Sequence, residues 1–515
     1  MIVETAVARS RSTAVSSMIV IVLTNGSRGA RFPTMITRPI CPRGSPRAAL
    51  LTAMVAVCFS VLPAPAAGGP SVHWVCTTAA APWQEMPVAL QPPQTSPDSN
   101  TVTLDPKTVY QSIDGFGGCF NELGWDALQP LDSAGQATAL KSLFDISGCN
   151  FNLCRAPIGA NDFARDWYSL DETAGDFALT NFSIERDRRI LIAYMKAAML
   201  FQPKLTVWGV PWSPPSWMKT DNAYKGGNMK QDPQTLAAYA LYFSKYVQAY
   251  RREGINLYAI HPQNEPKYNN NVYPQCAWTG QEINTFLRDY LCPRLKQDHV
   301  EVEVWLGTIV NENLADYIDP VLADSVTAPA ITGIGYQWGG QTAMLATHTK
   351  YPAKKMMQTE TECNNGADSW EEGTTTFRKI IEDMNHFANG YMFWNMILSE
   401  KSTSSWGWKQ NSLLKIDGQN KQIINNPEFY SMKHFSHFVQ PGAVRIGLTS
   451  PVTDGRNPNA LQNRNTVAFR NPSGELILVT LNPSANVLPV TVQSGSTTAR
   501  IDLPAHSMNT VAFEP

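Results

Sequence analysis

Two glutamates stand out by their neighbours and their spacing. Glu265 lies in His261-Pro262-Gln263-Asn264-Glu265-Pro266, directly after the apolar run Leu257-Tyr258-Ala259-Ile260. Glu360 closes the run Lys355-Met356-Met357-Gln358-Thr359-Glu360. Two carboxyl groups held about 5 Å apart can divide one job: one attacks an acetal carbon while the other protonates the leaving oxygen. That chemistry breaks a glycosidic bond. Asn264, directly before Glu265, can hold the hydroxyl beside the reacting carbon, a contact that strengthens in the transition state. Glu362 competes with Glu360, because residues i and i+2 share one face of a strand.

Such a pair works only if the fold brings both residues to one place. The chain alternates short apolar runs with amphipathic stretches. Candidate strands are Ser112–Gly118, Asn150–Ala156, Lys204–Val210, Asn256–Gln263, Glu301–Leu306, Ile331–Gln337, Lys355–Gln358 and Gly390–Trp394. Helical patterns lie between them, Pro233–Arg252 and Gly280–Lys296 among them, with apolar residues at three- and four-residue spacing. Eight strands alternating with helices predict an α/β fold, a (β/α)8 TIM barrel. Glu265 and Glu360 are 95 residues apart, three units of about 32. They then end strands four and seven at the C-terminal mouth, the face where such barrels keep their active sites. Beyond about Glu428 the texture becomes short, alternating and β-rich, with turn clusters such as Asn471-Pro472-Ser473-Gly474. The expected organisation is a lead-in over 68–110 that partly joins a β-sandwich, a barrel over 111–427 and an attached β-sandwich side domain over 428–515.

Composition narrows the partners. The 515 residues are 43% hydrophobic and 16% charged with a formal net charge of −2, which argues against a nucleic-acid partner. The 14 tryptophans offer flat apolar faces that suit the C–H faces of sugars. Residues 1–67 read as a secretory signal peptide with a start-site extension: Arg38, Arg43 and Arg47 precede the apolar run Ala48–Leu62, and Ala64-Pro65-Ala66 offers a cleavage site. The run is too short for a stable membrane span, so the mature chain is expected to be secreted or periplasmic. Seven cysteines follow that segment, an odd number whose pairing the sequence leaves open. The eight histidines show no ligand spacing, and neither a metal nor a cofactor is expected.

Several blocks taken together resemble glycoside hydrolase family 30, the family of acid β-glucosidase (glucosylceramidase). They are Gly115-Phe116-Gly117-Gly118, Pro211-Trp212-Ser213-Pro214-Pro215-Ser216-Trp217-Met218-Lys219, Gln263-Asn264-Glu265-Pro266, Thr359-Glu360, Phe393-Trp394-Asn395 and His434-Phe435-Ser436-His437-Phe438-Val439. The resemblance implies that Glu265 is the acid/base and that Glu360, directly after a threonine, is the nucleophile. It sets Glu122 where relatives carry an acidic residue that grips sugar hydroxyls. It also makes Trp212 a pocket tryptophan, Trp394 the ring under the bound sugar, and Tyr336 an aromatic near the nucleophile. Arg155, ending strand two, either hydrogen-bonds the nucleophile and keeps it ionised or forms a salt bridge at the barrel rim.

The expected function is a retaining β-glycosidase, glucosylceramidase-like, that releases terminal β-linked sugars from a glycoside or oligosaccharide. The alternatives are an endo-acting β-1,6-glucanase or xylanase, or β-fucosidase or β-xylosidase specificity. A non-catalytic carbohydrate-binding protein is the reading from another class, and the presence of both glutamates speaks against it.

Overall fold

The computed structural model describes residues 71–92, 100–267, 269, 271–310, 314–363, 365–401, 403–450 and 465–514. The expected signal peptide and its cleavage site lie outside these residues. Eight strands close into a barrel: Gly115–Cys119, Leu153–Pro157, Thr206–Val210, Leu257–Ile260, Glu303–Ile309, Ile331–Gln337, Lys355–Glu360 and Gly390–Asn395. They pair in sequence order, every pair is parallel, and the eighth returns to the first. Strands one, two and eight are buried along their whole length. A parallel strand covered on both faces has no solvent side for polar residues, which is why these segments read as largely apolar runs, with buried Arg155 and Asn395 the exceptions.

The helix Pro233–Arg252 shows how local sequence sets an element. Asp232 caps it by accepting from the Thr235 N–H at 2.9 Å, and a proline fills the first turn, where its missing N–H costs nothing. Leu236, Tyr239, Phe243, Tyr246, Val247 and Tyr250 turn one face inward. At the other end Gly254 takes φ +82, and the Gly254 and Ile255 N–H groups return to Arg251 and Tyr250. This paired closure satisfies the last carbonyls and needs a residue without a Cβ.

The stretch Gly280–Lys296 is not one regular helix. It runs as α-helix over Gly280–Thr285, π-helix over Phe286–Leu291 and α-helix again over Cys292–Gln297. Pro293 lacks the N–H that a continuous ladder needs, so the wider turn falls directly before it.

The side domain is a continuous sheet of ten strands closed over its own core of Trp74, Val102, Leu104, Leu478, Val490 and Val511. It draws on both ends of the chain. Val72–Thr77 pairs with the last strand Ser507–Phe513, and Thr101–Ser112 lies between Val444–Thr449 and Leu488–Ser494. The helix Pro427–Ser436 ties this sheet to the barrel. His434 bonds Thr510 and Thr77 at 2.9 Å each, while Phe435 packs on Phe116 and Phe377.

Candidate active site

The mouth of the barrel is built from the ends of its strands. After strand four the chain turns sharply, and Glu265 adopts φ +48. A left-handed glutamate costs about 1–3 kcal/mol and persists only where its surroundings over-determine it. Here they do. The Asn264 N–H donates to the Pro211 carbonyl, the Glu265 N–H to Thr308, and the Gln263 side chain to the Trp212 carbonyl at 2.6 Å. The segment after strand three and the end of strand five thus clamp the turn that aims Glu265.

Strand seven delivers Glu360 as its last residue, in register with Gln337 of strand six. Arg155, fully buried in the middle of strand two and not at its end, donates through Nη1 to Glu360 Oε2 at 2.5 Å and through Nη2 to Asn264 Oδ1 at 2.5 Å. One guanidinium therefore fixes the nucleophile candidate and the residue next to the acid candidate. The Trp338 indole N–H donates to the other Glu360 oxygen at 2.9 Å. Glu265 is held by Tyr273 Oη at 2.9 Å and by Gln337 Nε2 at 2.8 Å.

The two carboxyls line one cavity of about 360 Å³ together with Asp162, Tyr273, Trp338 and Trp408. Their environments differ. Glu360 carries an ion pair with Arg155. Burial and then the charge of Glu360 push the Glu265 carboxyl up to about 7. Like charges in one buried site cannot both ionise cheaply, so the group without the cation keeps its proton.

A family model described as the glycosyl hydrolase family 30 TIM-barrel domain matches residues 113–439, and one for the family 30 beta sandwich domain matches 442–511. The chain belongs to glycosyl hydrolase family 30. It is a glycoside hydrolase. Among family relatives, lysosomal acid glucosylceramidase of Mus musculus is 27% identical over 76% of this chain and 79% of its own length. An endo-1,6-beta-D-glucanase of Neurospora crassa is 27% identical over 78% of this chain and 86% of its own. The crystal structure of SrfJ from Salmonella typhimurium superposes with a TM-score of 0.78 at 24% identity, covering 86% of this chain and 99% of that one, which shows the shared fold.

Within this family 30 chain the structure brings Glu265, Glu360, Asn264 and Arg155 together. Trp212 and Trp394 are buried beneath them, stacked 5.2 Å apart, with the Arg155 guanidinium 4.3 Å from the Trp212 ring and 5.3 Å from Trp394. Two expected site residues stand elsewhere. Tyr336 is buried away from the carboxyls, its hydroxyl on Thr347 of the flanking helix Met344–Lys350. Alternation along strand six sends Tyr336 outward, so the next residues, Gln337 and Trp338, meet the glutamates instead. Glu122 has its oxygens engaged by the Arg186 guanidinium at 2.7 and 2.8 Å and by the Arg165 N–H at 2.8 Å. It anchors the segment after strand two and is not among the residues lining the cavity.

Asp162, from that same segment, does line it. It is buried, and burial followed by the charges of Glu360 and Glu265 raises its pKa well above the carboxylate range. Nothing in the spacing of Asn161-Asp162-Phe163 announces this. Among the described residues no group of side chains could hold a metal, and no helix is long and apolar enough to cross a membrane.

Proposed function

We propose that the enzyme is a retaining, exo-acting β-glycosidase, glucosylceramidase-like, that removes one terminal β-linked sugar. The observation that carries this reading is the unequal treatment of two glutamates in one cavity: Glu360 ion-paired with Arg155, Glu265 held near neutrality. Glu360 attacks the anomeric carbon as Glu265 gives its proton to the leaving oxygen, forming a glycosyl ester on Glu360. Glu265, now a carboxylate, takes a proton from water as that water attacks the ester's anomeric carbon. The product keeps the starting configuration and Glu265 regains its proton.

Asn264 Oδ1 accepts from Arg155 and from the Thr308 hydroxyl, which leaves its Nδ2 to donate to the 2-hydroxyl. Asp162, an acceptor in the cavity wall, suits another hydroxyl of the same ring. A cavity of about 360 Å³ lies near the small end of the range of roughly 300–1,000 Å³ for ligand pockets. That favours one sugar and the start of its leaving group over a bound polymer. The Arg-flanked apolar run before Ala66 supports action outside the cytoplasm.

The test is a screen of aryl β-glucoside, xyloside, fucoside and galactoside beside polymeric β-1,6-glucan and xylan. Release of a single sugar from one aryl glycoside, with no shortening of the polymers, is the expected result. Oligomers released from either polymer would establish endo action instead. On the preferred glycoside kcat/KM should fall with an apparent pKa near 7. The sign follows from the raised carboxyl: below that value Glu265 holds the proton it must donate, and above it the proton is lost. Activity that keeps rising through pH 8 would remove Glu265 from the acid role.

A further inference from the structure

The block that follows strand three ends on Lys219, and neither step of the reaction uses it. Its side chain is fully buried, directly after the single helical turn Ser216–Met218. The ammonium donates to two carbonyl oxygens, Tyr224 at 3.0 Å and Gln275 at 2.5 Å. Burial lowers its pKa, while Cys276 and Asp221 act on it through space. Taking an ammonium out of water is expensive, and among the described residues no carboxylate is bonded to it. A methionine of similar volume would carry no such cost. What the charge provides is two strong hydrogen bonds.

Those bonds join two loops at the barrel mouth. The Gln275 N–H also donates to the Tyr224 carbonyl at 2.9 Å, so Tyr224 and Gln275 are tied twice. Bridges between Lys225 and Pro274 and between Asn228 and Ala277 continue the seam. The Ala277 N–H reaches the Gly227 carbonyl at 2.9 Å. The segment so held is the one that serves Glu265. Gln275 gives its carbonyl to Lys219 and its Nε2 to Glu265 Oε2 at 3.5 Å. Tyr273, two residues earlier, donates to the same carboxyl oxygen at 2.9 Å. Lys219 itself is not among the residues lining the cavity.

We propose that Lys219 is a positioning residue of the acid/base: it pins the Gln275 carbonyl and so holds Tyr273 and Gln275 against Glu265 Oε2. The assignment rests on the reading of Glu265 as the acid given above and deepens it. The ionisable groups around Glu265 are Glu360 on strand seven, Arg155 on strand two, Asp162 after strand two and Tyr273 after strand four. Of these, Tyr273 alone belongs to the segment that Lys219 ties down. Its hydrogen bond favours the carboxylate and draws the Glu265 pKa down, against burial and the charge of Glu360. Releasing the segment therefore leaves Glu265 protonated to higher pH.

The test is the pH profile of kcat/KM on the phenyl β-glycoside turned over best. It is measured for the wild type, Lys219→Met, Tyr273→Phe and the double variant. Lys219→Met should lower kcat/KM at its optimum by about 10- to 100-fold, the scale of a small misplacement. It should also move the alkaline fall from near pH 7 upward by roughly 0.5 or more on the pH scale. Tyr273→Phe should move the fall in the same direction. Added to Tyr273→Phe, Lys219→Met should move it little further, because the contact through which it acts is already gone. A fall that stays at the wild-type pH in Lys219→Met, or two shifts that simply add, would overturn the proposal and leave Lys219 a packing residue. Lys219→Gln, whose shorter neutral amide cannot span both carbonyls, gives the same comparison should the Met variant not fold. Failure of the acid assignment looks different: the wild type itself would show no alkaline fall near pH 7.

Discussion

Glu360→Ala should be inactive on every glycoside, with kcat reduced on the order of 10⁴- to 10⁶-fold, the scale seen when a covalent nucleophile is removed. Azide should restore turnover of an activated aryl glycoside and give a glycosyl azide of inverted configuration. The space left by the carboxylate admits the small anion on the same face of the sugar, so one displacement replaces two. The geometry makes this variant cleaner than most. Arg155 also bonds Asn264 and the Thr359 carbonyl, so the guanidinium keeps two partners when Glu360 is gone. Glu362 is the control. It pairs with Lys379 at 2.5 Å and lines a separate cleft with Ser369 and Glu371. The pair is partly buried, and Glu362 is not among the residues lining the cavity that holds Glu265 and Glu360. Glu362→Ala should therefore leave kcat within a few-fold of wild type. An azide-rescued Glu362→Ala beside an active Glu360→Ala would show the nucleophile to be the other residue.

The barrel was legible because its signals are local and repeated. Strand six ends where its apolar run ends, and Pro233–Arg252 is bounded by its own Asp232, proline and Gly254. The break inside Gly280–Gln297 was not legible from periodicity, since a π turn keeps apolar residues near the same face, and only Pro293 hints at it. At the site, Glu265 and Glu360 could be read from strand ends alone. Tyr336 could not be placed, because a shift of one residue at a strand terminus exchanges inside for outside. Glu122 was expected to grip sugar hydroxyls by resemblance alone, and its partner Arg186 arrives from 64 residues away. Asp162, Tyr273 and Trp408 reach the cavity on loops, whose paths no periodicity encodes. The pair Trp406-Gly407-Trp408 was the one available hint, as two large aromatics on a polar loop need a surface to cover.

Glu265→Ala should fail in a way that depends on the leaving group. On a glycoside whose aglycone needs a proton, kcat/KM should drop by about 10²- to 10⁴-fold, the usual share of general acid catalysis. On a dinitrophenyl glycoside, which leaves as a stable anion, the first step should be nearly unchanged. The second step then lacks its base, so the ester on Glu360 should accumulate as a burst of phenolate followed by slow turnover. Azide needs no deprotonation and should speed that second step, giving a glycosyl azide of retained configuration. The alkaline fall near pH 7 should vanish together with the group that titrates there. Tyr273 and Gln337 lose the oxygens they bond, but the Arg155 and Trp338 contacts that hold Glu360 are untouched, so the ester on Glu360 still forms. The two azide products are what separate the roles. Inversion marks the residue that attacked carbon, and retention marks the one that served oxygen. An inverted azide from Glu265→Ala would mean that Glu265 attacks and Glu360 donates, with Arg155 paired to the acid and not to the nucleophile.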